Sequence, residues 1–256
     1  MAAPVHVASA KSRCEKTPLL SERRGTYTEH LGPVEVVPLK YGGVPTGADT
    51  VFRAFLNDSI MVYYRLAETA PLYETRWKLR HNLTLLDAVH QRRVLTVNQG
   101  AAILEYGAPG NNEPSRIYKF LFSLLETFDS RELTRRKTEW RGLAKSLLQE
   151  TFGERLKDMY DIQILATAPS MQGKGYGSAL VTAVTDMADA EGCDICVLSS
   201  DAYHFYERLG FVVVREAVLG RDNPEWHGEP IAVHLLHRPA RAVPPIATSS
   251  PLESGS

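Results

Sequence analysis

Residues 165–180 have the sequence LATAPSMQGKGYGSAL, which predicts a strand, a glycine-rich turn and a helix in direct succession. The strand is predicted over 161–167, and Pro169 ends it because proline cannot donate a ladder hydrogen bond. Three glycines then stand at alternate positions, namely Gly173, Gly175 and Gly177. Glycine lets backbone amides approach a ligand closely, and a helix N-terminus attracts negative charge. The turn is therefore predicted to bind an anion such as a pyrophosphate.

Spacing distinguishes between the known phosphate-binding loops. The nucleotide-hydrolase loop requires glycine at position 168 and serine or threonine at 175, but the chain has Ala168 and Gly175. The dinucleotide fingerprint requires a third glycine where Ser178 stands, so it is met only in part. The pattern that remains is Gln-x-x-Gly-x-Gly, which begins at Gln172.

A second motif follows at residues 199–211, SSDAYHFYERLGF. It matches the pattern Asn-x-x-Ala-x-x-x-Tyr-x-x-x-Gly-Phe, except that Ser199 replaces the asparagine. The matching positions are Ala202, Tyr206, Gly210 and Phe211. With the glycine turn upstream, this motif resembles the GCN5-related N-acetyltransferase (GNAT) superfamily.

The resemblance implies an α/β fold of the α+β type. We expect a mixed, mostly antiparallel, twisted central sheet of about six or seven strands, flanked by helices. The domain is expected over 33–238, with an extra helical insertion at about 113–158 that resembles uncharacterised fungal members. Polar residues 1–32 and the Pro/Ser-rich residues 239–256 are predicted to be disordered tails.

The resemblance also implies acetyl-CoA as the cofactor. Backbone N–H groups of the turn would hold its pyrophosphate, and the end of the preceding strand would pair with the pantetheine amides as an added strand does. The predicted cofactor-binding residues are Leu165, Ala166, Thr167, Gln172, Gly173, Lys174, Gly175, Tyr176, Gly177, Ser178 and Ser199.

Tyr206 is the predicted catalytic acid. A phenol is protonated at pH 7 and can donate to a thiolate leaving group. The motif puts Tyr206 at the family's position, and the alternative interpretation is a core aromatic residue beside Phe205.

Asp161 is the predicted general base. It stands six residues before Thr167, where histone-type members of the superfamily carry a glutamate base. Strand alternation would put Asp161, Gln163 and Leu165 on one face. A solvated carboxylate at the start of the strand is the alternative. The other candidate bases, which no spacing supports, are His204, Glu225 and His227.

The predicted function is direct acetyl transfer to the amine of a small molecule. The alternatives are an acetyltransferase for protein lysines or N-termini, and an acyl-CoA-binding module without catalysis.

No metal site is predicted, because Cys193 and Cys196 form a lone C-x-x-C pair within an expected buried strand. A covalent route through either thiol is not expected, since burial raises a thiol's pKa.

Composition limits the other classes of function. The chain has 256 residues and a net charge of −1, which argues against a nucleic-acid partner. It contains no apolar run long enough to span a membrane, and its three cysteines favour a reducing compartment. We therefore expect a cytoplasmic monomer or homodimer. Five basic residues among the first 30 leave a mitochondrial presequence as the alternative, although Glu15 and Glu22 interrupt that pattern.

Further segments have local predictions. A first strand is predicted over 34–39, helices over 49–56 and 74–91, and a hairpin over 94–106. By the resemblance, residues 41–66 are expected to form a wall of the acceptor pocket. A basic cluster at 131–141 is predicted to be a solvated helix face, with capture of an acidic acceptor or of the cofactor's phosphates as the alternative. Its members are Arg131, Arg135, Arg136, Lys137 and Arg141.

Overall fold

A single sheet organises the computed structural model, which describes residues 34–110 and 114–242. In these residues its seven strands lie in the order β1-β2-β3-β4-β5-β7-β6. All neighbours are antiparallel except the parallel pair β4 and β5. The mixed, mostly antiparallel sheet is therefore confirmed. The strands are β1 (Val37–Pro38), β2 (Val94–Val97), β3 (Ala102–Gly107), β4 (Tyr160–Thr167), β5 (Ile195–Ser199), β6 (Val212–Leu219) and β7 (Ile231–Arg238).

Helices cover both faces of the sheet. They are α1 (Val44–Ala54), α2 (Ser59–Arg65), α3 (Tyr73–His90), α4 (Arg116–Glu126), α5 (Arg131–Phe152), α6 (Tyr176–Glu191) and α7 (Tyr203–Glu207). Leu235 and Leu236 of β7 are both fully buried, but they belong to different core clusters. Leu235 packs in the cluster that contains α5 residues, and Leu236 packs in the one that contains α6 residues. The alternation of side chains along a strand thus separates two apolar layers.

Most predicted elements are confirmed. The hairpin, the helix α3 and the helices α4 and α5 of the insertion lie where the pattern indicated. Two predictions are wrong. Helix α1 begins at Val44 and not at 49, because Pro45 is accommodated in the first helical turn. Strand β1 is shorter than the expected 34–39, and Pro38 has no N–H with which to extend its pairing.

Strands β4 and β5 diverge after a short paired segment. Their parallel register joins Tyr160–Ile162 to residues 195–197, whereas β4 continues to Thr167 along β3. A β-bulge lies on the other edge of β4, where Glu105 pairs with Ile164 but the next residue of β3 pairs with Ile162. The divergence leaves part of the β4 edge without a neighbouring strand.

The basic cluster on α5 is only partly solvated. Arg136 and Lys137 are buried, with 3% and 8% of their surface exposed. Arg136 donates to the carbonyl oxygens of Tyr63 and Glu225 over 2.6 and 3.0 Å. Lys137 donates to Asp129 over 2.6 Å. The solvated-face prediction is wrong at these two positions because distant segments supply acceptors to Arg136, and the turn before α5 supplies the buried Asp129 to Lys137.

The predicted N-terminal tail lies outside the described residues, as does the predicted C-terminal tail beyond residue 242. The backbone N–H groups of Ala240 and Arg241 donate to Asp194 and Asp189 over 3.0 and 2.7 Å. No helix among the described residues is both long and apolar enough to cross a membrane.

Candidate active site

A cleft of about 810 Å³ lies beside the end of β4 and the glycine turn. Nine predicted cofactor-binding residues line it, namely Leu165, Ala166, Thr167, Gln172, Gly173, Gly175, Tyr176, Gly177 and Ser178. Lys174 is not among the lining residues, and its Nζ lies 3.4 Å from Met171 Sδ. The charged residues Asp58, Asp201 and Arg208 also line the cleft.

The glycine turn has a backbone that favours glycine. Gly173 and Gly175 adopt φ of 76° and 78°, in the left-handed region where a β-carbon causes strain. Gln172 donates its side-chain amide to the Thr167 carbonyl over 3.3 Å and so folds the turn onto the strand end. No side chain caps α6, whose first N–H groups have no intrahelical partners. This geometry suits an anionic ligand.

A second cavity of about 270 Å³, the inner cavity, adjoins the cleft. The two share the lining residues Phe55, Asp58, Leu165 and Ala202. The inner cavity lies where β4 and β5 diverge, and residues of α1, α2, α3 and α5 complete its walls. Met61 also lines it, so part of the expected 41–66 wall does face a cavity.

Tyr206 lines the inner cavity although only 5% of its surface is exposed. Its ring makes edge contacts with Phe205 and Phe211. Burial raises the pKa of the Tyr206 phenol above its usual value. The phenol is therefore protonated at neutral pH. Tyr206 packs as a core residue and also lines a cavity, so its position is compatible with both interpretations.

Ser199 lines the inner cavity and not the cofactor cleft. Its Oγ accepts a hydrogen bond from the backbone N–H of Ala202 over 3.2 Å. The replacement of the family's asparagine therefore leaves a side chain that stabilises the turn between β5 and α7. A contact of Ser199 with the cofactor stays a prediction.

Asp161 lies outside the lining of both cavities. Antiparallel partners share a face, and Asp161 pairs with Gly107 whereas Leu165 pairs with Leu104. Gly107 and Leu104 are three residues apart, so Asp161 and Leu165 lie on opposite faces. The shared-face prediction is wrong because the bulge adds Gln163 to β4 and reverses the alternation.

The environment of Asp161 is that of a buried polar cluster. Burial raises the pKa of its carboxyl group, while Gln163 and Arg93 act in the opposite direction. The other three candidate bases do not line the inner cavity either. Nδ1 of His204 instead lies 2.6 Å from Oε2 of Glu207 on the exposed face of α7.

Asp58 is a candidate that sequence reasoning did not single out. It lines both the cleft and the inner cavity. Its Oδ1 accepts the backbone N–H of Met61 over 3.0 Å, which caps α2, and its Oδ2 accepts the hydroxyl of Ser200 over 3.3 Å. Burial raises the pKa of Asp58, with a further upward contribution from Asp201. A carboxylate with a raised pKa at this junction is suited to accept a proton.

The only sequence signal for Asp58 was its position before an apolar helix, which predicts an N-cap. Its approach to Ser200 spans 142 residues of chain and follows from tertiary packing. Next to it, the backbone N–H and hydroxyl of Ser59 both donate to Asp201, over 2.8 and 2.7 Å. These bonds connect the start of α2 with the segment after β5.

The two cysteines differ from each other. Cys196 is buried in β5, and burial raises the pKa of its thiol. Cys193 precedes the strand and is partly exposed, so its expected place inside a buried strand is wrong. Neither residue lines the cleft or the inner cavity.

Comparison with known proteins finds a family and a relative that this chain resembles. A family model described as an acetyltransferase (GNAT) domain matches residues 150–213, which include the glycine turn and the motif at residues 199–211. An uncharacterized N-acetyltransferase of Schizosaccharomyces pombe is 27% identical over 183 residues, which cover 69% of this chain and 73% of that protein.

Two solved structures share the fold. Arylalkylamine N-acetyltransferase 2 from Aedes aegypti aligns with a TM-score of 0.54 and 16% identity, over 82% of this chain and all of its own. A protein described as a histone acetyltransferase and related acetyltransferase, from Corynebacterium glutamicum, aligns with a TM-score of 0.50 and 16% identity, over 83% of this chain and 99% of its own. Residues 150–213 are thus similar to a GNAT acetyltransferase domain, the fungal relative is similar over most of the chain, and the two solved structures share its fold.

Proposed function

We propose that the chain is an acetyl-CoA-dependent N-acetyltransferase, in which the amine of a small molecule attacks the thioester directly. One observation carries this proposal. The divergence of β4 and β5 joins a cleft with an anion-binding turn to an inner cavity lined by a carboxylate and a phenol.

The residues present fit an acyl-CoA. Backbone N–H groups of the glycine turn would hold the pyrophosphate, and Arg208 in the lining of the same cleft is a further cation for phosphate. The unpaired edge of β4 beyond Ile162 would bind the pantetheine amides. When bound, acetyl-CoA supplies the acetyl group as an activated thioester.

Asp58 and Tyr206 have the proposed proton-transfer roles. Asp58 Oδ2 takes a proton from the attacking amine, and Ser200 holds that carboxylate in position. The Tyr206 hydroxyl donates a proton to the departing thiolate, because its raised pKa keeps it protonated. Both residues line the inner cavity.

The size of the inner cavity favours a small acceptor. Its volume of about 270 Å³ is near the lower end for small-molecule sites, and strands β4 and β5 and several helices line it. A protein acceptor would need an open surface channel for an extended segment. Cytoplasmic location and a monomeric or homodimeric state remain predictions.

The first test is thermal unfolding with saturating acetyl-CoA, NADPH or ATP. A ligand at a hundred times its Kd adds about 2.7 kcal/mol to the free energy of unfolding. For a domain of this size, each kcal/mol raises Tm by roughly 2–4 °C. We expect a rise with acetyl-CoA alone, followed by amine-dependent release of free thiol. Binding without turnover over a broad amine panel would favour the non-catalytic acyl-CoA module.

A further inference from the structure

A third cavity, the outer lobe, adjoins the inner cavity on the side of the helical insertion. Its volume is about 280 Å³, and the two share Met61, His81 and Trp140 as lining residues. Residues of α2, α3, α4 and α5 form its walls. The inner cavity and the outer lobe together can therefore hold an acceptor that extends well beyond its amine-bearing end.

The outer lobe combines aromatic walls with positive charge. Its aromatic residues are Tyr64, Trp77, Phe122 and Trp140. Its charged residues are all basic, namely Arg80, Lys137 and Arg141, and none of the described residues that line it is acidic. An acceptor with a cationic tail would be repelled there, and an aromatic or apolar body would pack well.

Ion pairs with two carboxylates neutralise only part of this positive charge. Arg80 and Lys137 both contact the carboxylate of Asp129, whose side chain is 1% exposed. Lys137 and Arg141 also share Glu126. Three cationic side chains thus share two carboxylates, which leaves a surplus positive charge next to the lobe.

Two buried polar atoms of residues that line the lobe have no hydrogen-bond partner among the described residues. Arg80 is 6% exposed, and its Nε makes no hydrogen bond to any residue that the structure describes. The same holds for Nε2 of His81, which stands where the two cavities meet. Buried polar groups normally have a hydrogen-bond partner, but both atoms are inaccessible to a water-sized molecule, so a ligand could pair with them only after the side chains move. Burial lowers the pKa of His81 to about 4, so its ring is neutral at pH 7.

The opposite end of this double cavity is acidic. Asp58 lines the inner cavity at its junction with the cleft, and Asp201 lies beside it. The charge therefore changes sign along the path from the cleft to the outer lobe. We infer that the acceptor is a primary amine joined through an aromatic or apolar spacer to an anionic group, with the amine at Asp58 and the anionic group in the outer lobe. This inference rests on the proposed function and specifies its substrate class.

The test compares four amines of similar shape with acetyl-CoA as donor. They are para-methylphenethylamine, para-(aminoethyl)benzoate, tyramine O-phosphate and para-(aminomethyl)phenethylamine. We expect kcat/KM for one of the two anionic probes to exceed that for the neutral probe by about tenfold or more, because charge-assisted hydrogen bonds add to the packing. The dicationic probe is expected to be poorer than the neutral one. The benzoate and phosphate arms distinguish the two kinds of anionic group.

Arg141→Gln is the informative variant, and Arg135→Gln is its matched control. Both arginines lie on α5 with half-exposed side chains, 58% and 46% exposed, and only Arg141 lines the lobe. Arg141→Gln should reduce the preference for the anionic over the neutral probe by roughly fivefold, since an exposed charge interaction is modest. Its kcat/KM for the neutral probe should fall much less than its kcat/KM for the anionic probes, whereas a merely structural defect would lower both to the same extent. Arg135→Gln should change neither value.

Binding separates failure of this inference from failure of the proposed function. Calorimetric titration of the chain with CoA, and then of the CoA complex with each probe, needs no turnover. If CoA binds but the neutral or dicationic probe binds as well as both anionic ones, the inference is wrong and the proposed function stands. If acetyl-CoA and CoA do not bind, the proposed function itself is wrong.

Discussion

The hydroxyl of Ser200 donates a hydrogen bond to Oδ2 of Asp58 over 3.3 Å and thereby ties the end of β5 to the start of α2. This bond stabilises the ionised carboxylate, whereas burial and the neighbouring Asp201 act against ionisation. The balance between these effects sets the pKa of the proposed base. The assignment of Asp58 as the base can therefore be tested in variants that keep the fold.

Asp58→Asn should lower kcat by roughly a hundredfold to ten-thousandfold, the usual range for loss of a general base. Asparagine caps helices about as well as aspartate, so α2 should remain intact. Steady-state kinetics would be measured together with acetyl-CoA binding, which should be unchanged. Asp49→Asn, on the surface of α1, is the control. An unchanged kcat in Asp58→Asn would exclude Asp58 as the base.

Ser200→Ala should move the low-pH limb of the kcat/KM profile to higher pH. In the parent chain, activity should fall as the pH drops through the pKa of Asp58, which lies above its usual value. Loss of the Ser200 hydrogen bond removes a contribution that lowers this pKa, so protonation would begin at higher pH. A limb that keeps its position in Ser200→Ala would assign the titration to another group, such as the amine itself.

Tyr206→Phe should lower kcat by at least roughly tenfold while the Kd for acetyl-CoA stays constant. The ring contacts with Phe205 and Phe211 do not involve the hydroxyl, so the packing should be retained. Tyr203→Phe is the matched control, because Tyr203 lies on the same helix but does not line the inner cavity. Equal losses in both variants would point to a general defect of α7 and not to proton donation.

Gly175→Ala should weaken acetyl-CoA binding and also destabilise the protein by about 1–2 kcal/mol, because its φ of 78° is unfavourable for alanine. Gly142→Ala provides the contrast. Gly142 lies within α5, and an added Cβ would meet nothing within 4 Å. That variant should be more stable by roughly 0.5–1 kcal/mol and bind acetyl-CoA normally. Calorimetric titration and urea unfolding measure both quantities, and unaltered binding by Gly175→Ala would contradict the anion-binding role of the turn.

Glu105→Gln should change the pH dependence of stability. Burial raises the pKa of Glu105 to about 8 in the folded chain, from 4.5 for an ordinary glutamate. As the pH rises from 4.5 to about 8, the unfolded chain loses this proton and the folded chain keeps it. The folded chain therefore loses stability across this window.

The variant cannot ionise, so its free energy of unfolding should exceed that of the parent at pH 8 and approach it at the acidic end of the window. Urea unfolding across this range measures the difference. Glu154→Gln, with a side chain 90% exposed, should follow the parent. Parallel pH profiles for the parent and Glu105→Gln would show that Glu105 is not kept protonated by burial.

Local signals predicted the parts of the site that one continuous segment builds. The strand before Pro169, the glycine turn and helix α6 depend on hydrogen bonds and φ preferences within a few residues, and these are visible in the sequence. The same holds for the hairpin around β2 and β3. The Tyr206 motif also led to a residue that lines the inner cavity.

The proposed base could not be found in this way. A single extra residue, Gln163, reverses the alternation of β4 and turns Asp161 away from the face of Leu165. Such a bulge depends on the pairing with β3 and leaves no pattern in the strand itself. Asp58 and Ser200 are 142 residues apart in the chain, and only the packing of α2 against the end of β5 brings them together.

The sequence by itself determined the local elements, the anion-binding turn and the superfamily resemblance, because each depends on residues that are neighbours along the chain. The tertiary structure decided which carboxylate lies at the junction of the cleft and the inner cavity. It also decided which of the basic residues on α5 are buried and that the inner cavity adjoins an outer lobe with basic lining residues. These features depend on contacts between distant segments, whose free energy is gained only when the whole sheet and its helices pack together.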